Sequence, residues 1–150
     1  MKRKVHAAIP KITGHNLQGK VPVNIAELKK FAAKALQDCL CLPRKKTTNL
    51  MQLREISILI VSDRKIASFH RQFMNESGPT DVITFQHGEI FISVPTAQRQ
   101  ARRFGTSLRH EVQLYIVHGL LHLLGFNDQT GGQRREMRAA ERAILAQVAV

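Results

Sequence analysis

The chain has 150 residues, with 23 lysines and arginines against 11 acidic residues and a formal net charge of +12. This length suits one domain whose core needs no disulfides, and Cys39 and Cys41 alone provide no disulfide framework, so the cytoplasm is the expected location. No apolar run approaches the roughly 20 residues that span a bilayer, and His6, Pro10 and Lys11 interrupt the basic start before a signal-peptide core can form. We therefore expect neither a membrane segment nor a signal peptide.

The excess of positive charge predicts a polyanionic partner, and nucleic acid is the expected one. Aromatic residues make up only 5% of the chain and tryptophan does not occur, so backbone phosphates are a more natural contact than stacked bases. A generally basic surface without a specific polyanion is the alternative. Basic pairs and triplets recur along the chain at residues 2–4, 29–30, 44–46, 64–65, 102–103 and 134–135.

The first half of the chain predicts two strands and one helix after an irregular basic start. Residues 21–25 alternate as a strand does, and residues 26–42 place apolar side chains at helical spacing until Pro43 stops the helix. A polar loop follows at 44–49. Residues 54–61 are rich in β-branched side chains, which indicates a mostly buried central strand.

The second half alternates helices with a predicted hairpin. Asp63 is the predicted N-cap of a helix that ends near residue 74, and strands at 81–85 and 89–93 are joined through Gly88. A basic helix at 95–104 ends at Gly105. A long apolar helix then runs from a Thr106 or Ser107 cap to about residue 124, with Gly125 as its C′ residue, and a last helix covers 133–147.

These elements predict an α/β (α+β) fold in one domain that spans residues 1–150, with residues 1–20 as a basic N-terminal extension. A small mixed sheet of four to five strands is expected to pack against about five helices.

The segment 118–128, with sequence HGLLHLLGFND, carries the strongest chemical signal. His118 and His122 are four residues apart and therefore share one face of a helix, where both can bind one metal ion. Gly125 allows the chain to turn back after the helix, so that Asp128 can supply a third ligand. Three ligands leave the fourth position of a catalytic zinc open for water. The alternative is that both histidines are buried residues with satisfied ring nitrogens.

The residue after the first histidine separates this pattern from the metallopeptidase motif HExxH. That motif requires a glutamate as general base, and Gly119 occupies the position here. A peptidase is therefore disfavoured. Glycine is unfavourable inside a helix, so Gly119 indicates either close packing of the helix or the approach of a substrate.

The sequence resembles the YbeY family of rRNA-maturation endoribonucleases. The family hallmark HGxLHLxGYDH, with a downstream methionine and glutamate, is matched by residues 118–128 together with Met137 and Glu141. A second family block, PTDVLSF followed by a glycine, an acidic residue and Ile-x-Ile-Ser, is matched by residues 79–85 and 88–93. The resemblance runs in consistent order from about residue 53 to residue 145.

The resemblance implies an α/β fold, one bound zinc ion, and cleavage of single-stranded RNA in rRNA maturation and ribosome quality control. His118, His122 and Asp128 are then the expected metal ligands and catalytic residues. Asp128 replaces the third histidine of the hallmark and Asn127 replaces its aspartate. Two histidines and one carboxylate suit zinc, and the harder carboxylate could also admit another divalent metal such as manganese or iron.

Upstream of the second block the family usually has an Asn-x-x-Tyr-Arg pattern, and the position of its phosphate-binding arginine is Met74 here. Arg71 is one candidate replacement and His70 is another residue that could line the same cleft. Thr80 and Asp81 are further candidates, either for substrate binding or for orienting a ligand histidine. Ordinary surface or structural roles are the alternatives for all four.

Three functions follow from these patterns. The first is a zinc-dependent endoribonuclease with rRNA and the ribosome as partners, together with a ribosomal protein or a GTPase as a further partner. The general base stays open between Asp128, Asp81 and a second water, and the 2′-hydroxyl of the RNA is an alternative nucleophile. The second function is a non-catalytic, basic ribosome- or RNA-binding module with a structural metal, and the third, least favoured, is a zinc peptidase.

Overall fold

A mixed sheet of four strands forms the centre of the molecule in the computed structural model, which describes residues 9–43 and 50–148. The strands are β1 (Lys11–Asn16), β2 (Glu55–Val61), β3 (Val82–Phe85) and β4 (Glu89–Ser93). Their order across the sheet is β1-β2-β4-β3. β2 pairs in parallel with both β1 and β4, whereas β3 pairs with β4 as an antiparallel hairpin.

Five α-helices accompany this sheet in the described chain. They are α1 (Ile25–Cys39), α2 (Asp63–Met74), α3 (Val94–Phe104), α4 (Leu108–Leu123) and α5 (Gly131–Val148), and a short 3₁₀ turn covers Leu50–Gln52. The predicted α/β fold, with a small mixed sheet and about five helices in one domain, is therefore confirmed.

Helices cover both faces of the sheet. Because successive side chains of a strand point to opposite faces, the apolar side chains of the strands belong to two separate clusters. The larger cluster joins one face to α1, α4 and α5, and Ile56, Ile58 and Ile60 of β2 belong to it. The smaller cluster lies on the other face and includes Val61 of β2 and Ile66 of α2. Both faces of the central strand are thus covered, which explains why β2 is almost continuously apolar.

The first strand lies earlier in the chain than predicted. Residues 21–25 do not form a strand, because Asn24 is the N-cap of α1 and its side chain accepts a hydrogen bond from the Glu27 N–H at 3.1 Å. The strand is Lys11–Asn16, within the stretch that was expected to be irregular. It is an edge strand in which only Ile12 is buried, so its sequence has no alternating apolar pattern.

The N-cap of α2 also differs from the prediction by one residue. Ser62 is the cap: its backbone is extended and its side chain accepts a hydrogen bond from the Lys65 N–H at 3.2 Å. Asp63 is the first helical residue, and its carboxylate instead reaches Ser93, Thr96 and Arg99. The acidic residue thus joins α2 to the start of α3.

Two of the predicted basic clusters, residues 2–4 and 44–46, lie outside the described residues, as does the first part of the predicted basic extension. Among the described helices, none combines the length and apolar character that a membrane crossing requires.

Candidate metal centre

Three side chains that could bind a metal ion converge at the end of α4. The Nε2 atoms of His118 and His122 are 3.0 Å apart. Asp128 Oδ2 lies 3.6 Å from the first of these atoms and 3.5 Å from the second. The structure therefore brings together the three residues that the sequence singled out, as a group whose ligand atoms all lie within 4.8 Å of one another.

Close packing of α4 against the sheet places the two histidines. A Cβ atom at Gly119 would lie 2.8 Å from Ile90 Cδ1 and 2.9 Å from Ile90 Cγ2. Ile90 is fully buried in β4 and cannot move aside cheaply. Of the two interpretations of Gly119, the structure supports helix packing.

The turn after α4 both ends the helix and orients His122. Gly125 has a φ of 95°, and the N–H groups of Gly125 and Phe126 donate to the carbonyls of His122 and Leu121, each at 3.0 Å. This is a Schellman turn, which favours glycine because the residue adopts positive φ. The Phe126 carbonyl then accepts a hydrogen bond from His122 Nδ1 at 3.0 Å. Gly125 is thus the C′ residue, as the sequence predicted, and Asp128 follows three residues later.

His118 is oriented by a residue of α5. Its Nδ1 donates to Glu141 Oε1 at 2.7 Å, and the Glu141 side chain is only 12% exposed. With Nδ1 protonated on both imidazoles, both Nε2 atoms present lone pairs toward Asp128. The sequence placed Glu141 only in a family motif and did not identify the Phe126 carbonyl, because neither partner follows from spacing within one helix.

The geometry of the donor atoms fits a zinc ion. Ligand atoms about 2.0–2.2 Å from one tetrahedral zinc lie roughly 3.3–3.6 Å from one another. The three distances here, 3.0, 3.5 and 3.6 Å, bracket that range. The two Nε2 atoms, 3.0 Å apart, are close enough to share either a proton or a metal ion. Among the described residues the group contains three ligands, which leaves a fourth zinc position for solvent or substrate.

The two histidines differ in their affinity for protons. Burial lowers the pKa of His118, but the hydrogen bond and charge of Glu141, with the charges of Asp128 and Asp81, outweigh it and raise the pKa above its usual value. Burial and the neighbouring His118 lower the pKa of His122. His118 is therefore the more basic of the two imidazoles.

Cavities open on two sides of His118. One has a volume of about 180 Å³, and its walls are His118, Asp128, Arg134, Met137, Arg138 and Glu141. The other has a volume of about 190 Å³, and its walls are Asp81, Val82, Leu114, Tyr115, His118 and Glu141. The cavity that contains both His118 and Asp128 therefore gives small groups access to the candidate metal centre.

Asp81 borders the site but does not orient either histidine, which corrects that interpretation. Its Oδ1 accepts a hydrogen bond from its neighbour's backbone, the Val82 N–H at 2.8 Å, and from the Thr80 hydroxyl at 3.4 Å. The Nδ1 atoms of the two histidines are bound by Glu141 and by the Phe126 carbonyl instead. Substrate binding by Thr80 and Asp81 stays a prediction.

His70 and Arg71 lie on α2, and their described contacts are outside the candidate metal centre. His70 Nδ1 is 3.0 Å from the Gly78 carbonyl oxygen and its Nε2 is 2.9 Å from Glu76 Oε2, so both ring nitrogens contact the segment after α2. Arg71 borders a separate surface groove that also contains Arg64 and Gly78. A role of either residue in substrate binding stays a prediction.

The fold and the site together define a class of protein: a small α/β protein with a candidate metal centre of two histidines and one aspartate. A family model described as Endoribonuclease YbeY matches residues 14–149. The chain therefore belongs to the Endoribonuclease YbeY family, as the resemblance predicted.

Individual relatives and a solved structure agree with this membership. Endoribonuclease YbeY of Pelotomaculum thermopropionicum is 35% identical over 148 residues, which cover 89% of this chain and 93% of that protein. Endoribonuclease YbeY of Bacteroides thetaiotaomicron is 38% identical over 102 residues, which cover 63% and 74% respectively. The solution structure of TM1509 from Thermotoga maritima superposes with a TM-score of 0.63 at 22% identity, covering 91% of this chain and 88% of that one, which shows a shared fold.

Proposed function

We propose that this chain is a zinc-dependent endoribonuclease that cleaves single-stranded RNA in the cytoplasm, in rRNA maturation and ribosome quality control. The observation that carries the proposal is the convergence of His118, His122 and Asp128 with a fourth ligand position left over. Family membership and the names of the relatives support RNA as the substrate. The net charge of +12 supports association with rRNA and the ribosome. A ribosomal protein or a GTPase is a further proposed partner.

The residues around the site have two different roles, metal binding and orientation of the metal ligands. His118, His122 and Asp128 would hold the ion, while Glu141 and the Phe126 carbonyl fix the direction of the two imidazoles. A zinc ion bound there would lower the pKa of a water molecule to about 7 and stabilise negative charge on a phosphoryl oxygen. Because this chemistry needs no protein nucleophile, the chain has to supply orientation, a proton acceptor and phosphate contacts.

A catalytic site is favoured over a structural one by its ligand count. Structural zinc sites are closed by four protein ligands. The described residues offer three, and both cysteines are elsewhere: Cys39 is buried at the end of α1 and Cys41 is exposed just after it. The non-catalytic RNA-binding module is therefore the second proposal.

The first test removes one ligand at a time. His118→Ala and His122→Ala should each lose stoichiometric zinc, measured by metal analysis, and lose metal-dependent cleavage of a labelled single-stranded RNA. His110→Ala is the matched control, because His110 lies on the same helix but is exposed in its first turn. The control should keep one zinc per chain and full activity.

Two outcomes would contradict the proposal. Full cleavage by a His118→Ala protein that is verified to be zinc-free would exclude the assigned centre. A zinc-loaded wild-type chain that binds the RNA but leaves it intact would favour the RNA-binding module instead.

A further inference from the structure

One arginine borders the cavity beside the candidate metal centre and has no described side-chain partner. Arg138 of α5 borders the 180 Å³ cavity together with His118, Asp128 and Glu141. Its backbone carbonyl accepts a hydrogen bond from Arg142 Nε at 3.4 Å. Within residues 9–43 and 50–148 its guanidinium makes neither a hydrogen bond nor an ion pair. Five N–H donors beside the site are therefore free to bind a ligand.

The second arginine of this cavity is already engaged. Arg134 Nη1 donates to the carbonyls of Asp128 and Gln129, at 3.3 and 3.2 Å. These bonds fix the segment that carries the Asp128 carboxylate. Arg134 therefore holds the backbone next to the Asp128 carboxylate through Nη1, whereas the guanidinium of Arg138 has no described partner and is the better candidate to bind a ligand.

A phosphate that binds in this cavity is best held by a cation with unengaged donors, and Nη1 of Arg134 is already bound to two carbonyls. Asp128 and Glu141 bring two carboxylates to the cavity wall, and together they balance the two positive charges of a divalent ion. A phosphodiester is an anion, and its cleavage adds negative charge in the transition state. An arginine can donate two parallel hydrogen bonds to phosphate oxygens, which lysine cannot do.

We propose that Arg138 is the phosphate-binding residue of this site and donates to the non-bridging oxygens of the RNA phosphodiester beside His118 and Asp128. This inference rests on the proposed endoribonuclease function and assigns the contact to α5 rather than to Arg71 on α2. Met137, which is 2% exposed, anchors this part of α5 in the core. The guanidinium therefore extends from a rigid helix, as a precise phosphate contact requires.

The experiment compares Arg138→Ala, Arg138→Lys and the matched control Arg135→Ala in the zinc-loaded full chain. Arg135 is an exposed residue of the same helix that does not border the cavity, and its replacement removes the same charge.

Arg138→Ala should lower kcat/KM for single-stranded RNA by about a hundredfold, with a large part of the loss in kcat. Arg138→Lys should recover about tenfold of that loss, and Arg135→Ala should stay within about twofold of wild type. Zinc content and Tm should be unchanged in all three.

A second readout does not depend on cleavage. Inorganic phosphate, titrated into the zinc-loaded proteins and followed by NMR, should bind about tenfold more weakly to Arg138→Ala than to Arg135→Ala. If the wild type cleaves RNA and the two variants behave alike in both assays, Arg138 is not the phosphate-binding residue and the proposed function stands. If the wild type does not cleave RNA, the proposed function fails, and the phosphate titration alone decides the role of Arg138.

Discussion

At the scale of single residues, the candidate metal centre depends on the partners of its ligands as much as on the ligands. Each imidazole is fixed through Nδ1, His118 by Glu141 and His122 by the Phe126 carbonyl. A charged partner also makes the imidazole a stronger metal ligand. Glu141 should therefore control zinc affinity although it does not touch the ion.

Replacement of Glu141 tests this dependence. We expect Glu141→Gln to weaken zinc binding about tenfold, because the amide oxygen still accepts the hydrogen bond but has no charge, and Glu141→Ala to weaken it about a hundredfold. Competition with a zinc chelator measures both values. Glu136→Gln, an exposed position of the same helix, is the control. Equal zinc affinity in Glu141→Ala and the control would show that the carboxylate has no such role.

The sequence predicted that the three candidate ligands come together but did not predict the partners of the histidines, and the reason is physical. His118 and His122 share a helix face, and a glycine that permits a reversal of the chain precedes Asp128, so their convergence follows from local geometry. The contact between His118 and Glu141 joins residues 23 positions apart on two helices. Such a contact depends on how α4 and α5 cross, which spacing within one helix does not define.

The hydrogen bonds of Asp63 should make the stability of the protein depend on pH. Partial burial raises the pKa of Asp63, but hydrogen bonds from Arg99, Ser93 and Thr96 outweigh it and lower the pKa from 3.8 to about 2. A carboxyl group whose pKa is lowered by folding stabilises the protein above its unfolded pKa, and this contribution is lost as pH falls through the folded value. The stabilisation should be complete above about pH 4 and should disappear toward pH 2.

The stability of an Asp63→Asn variant, measured at several pH values, tests this expectation. Because the Asp63 side chain is 32% exposed and solvent screens its charge, we expect the variant to be less stable than wild type by about 1 kcal/mol at neutral pH. The difference in the free energy of unfolding, obtained from urea titrations, should shrink between pH 3.8 and about 2. A difference that stays constant over that range would contradict the account of this carboxylate.

At the scale of elements, the turn after α4 couples helix termination to the metal site. Gly125 ends α4 with positive φ, and the next carbonyl, of Phe126, binds His122. The sequence predicted this helix end because glycine after an apolar helix is a strong signal. It did not predict β1, because an edge strand with one buried residue has no such signal.

Substitution of this glycine should therefore affect metal binding as well as stability. Gly125→Ala forces alanine into positive φ, at a cost of about 1–2 kcal/mol. It should also weaken zinc binding, since the Phe126 carbonyl shifts. Gly105→Ala is the matched control: Gly105 ends α3 with a φ of 66° and has no heavy atom near an added Cβ.

Thermal unfolding and chelator competition separate the two effects. Both variants should lose stability, and only Gly125→Ala should lose zinc affinity. A loss of zinc affinity of the same size in Gly105→Ala would mean that general destabilisation, and not the turn, is responsible.

At the scale of the whole molecule, the formal charge of +12 should dominate the attraction to RNA. Binding of single-stranded RNA releases counterions, and log K falls by about 0.7 per phosphate contact for each unit of log salt concentration. For roughly four contacts, an increase from about 50 to about 200 mM salt should weaken binding roughly fiftyfold. Fluorescence anisotropy with a labelled RNA measures this dependence, and removal of zinc should change the slope little. An affinity independent of salt would contradict an electrostatic surface.

The proposed function depends above all on His118, His122 and Asp128 holding one metal ion with a coordination position left open. X-ray absorption spectroscopy on the purified zinc-loaded chain, combined with metal analysis, tests it most directly. We expect one zinc per chain, bound by two imidazole nitrogens and by oxygen ligands that include a solvent molecule. A zinc ion enclosed by four protein ligands, sulfur in its coordination shell, or a folded chain that binds no zinc would contradict it.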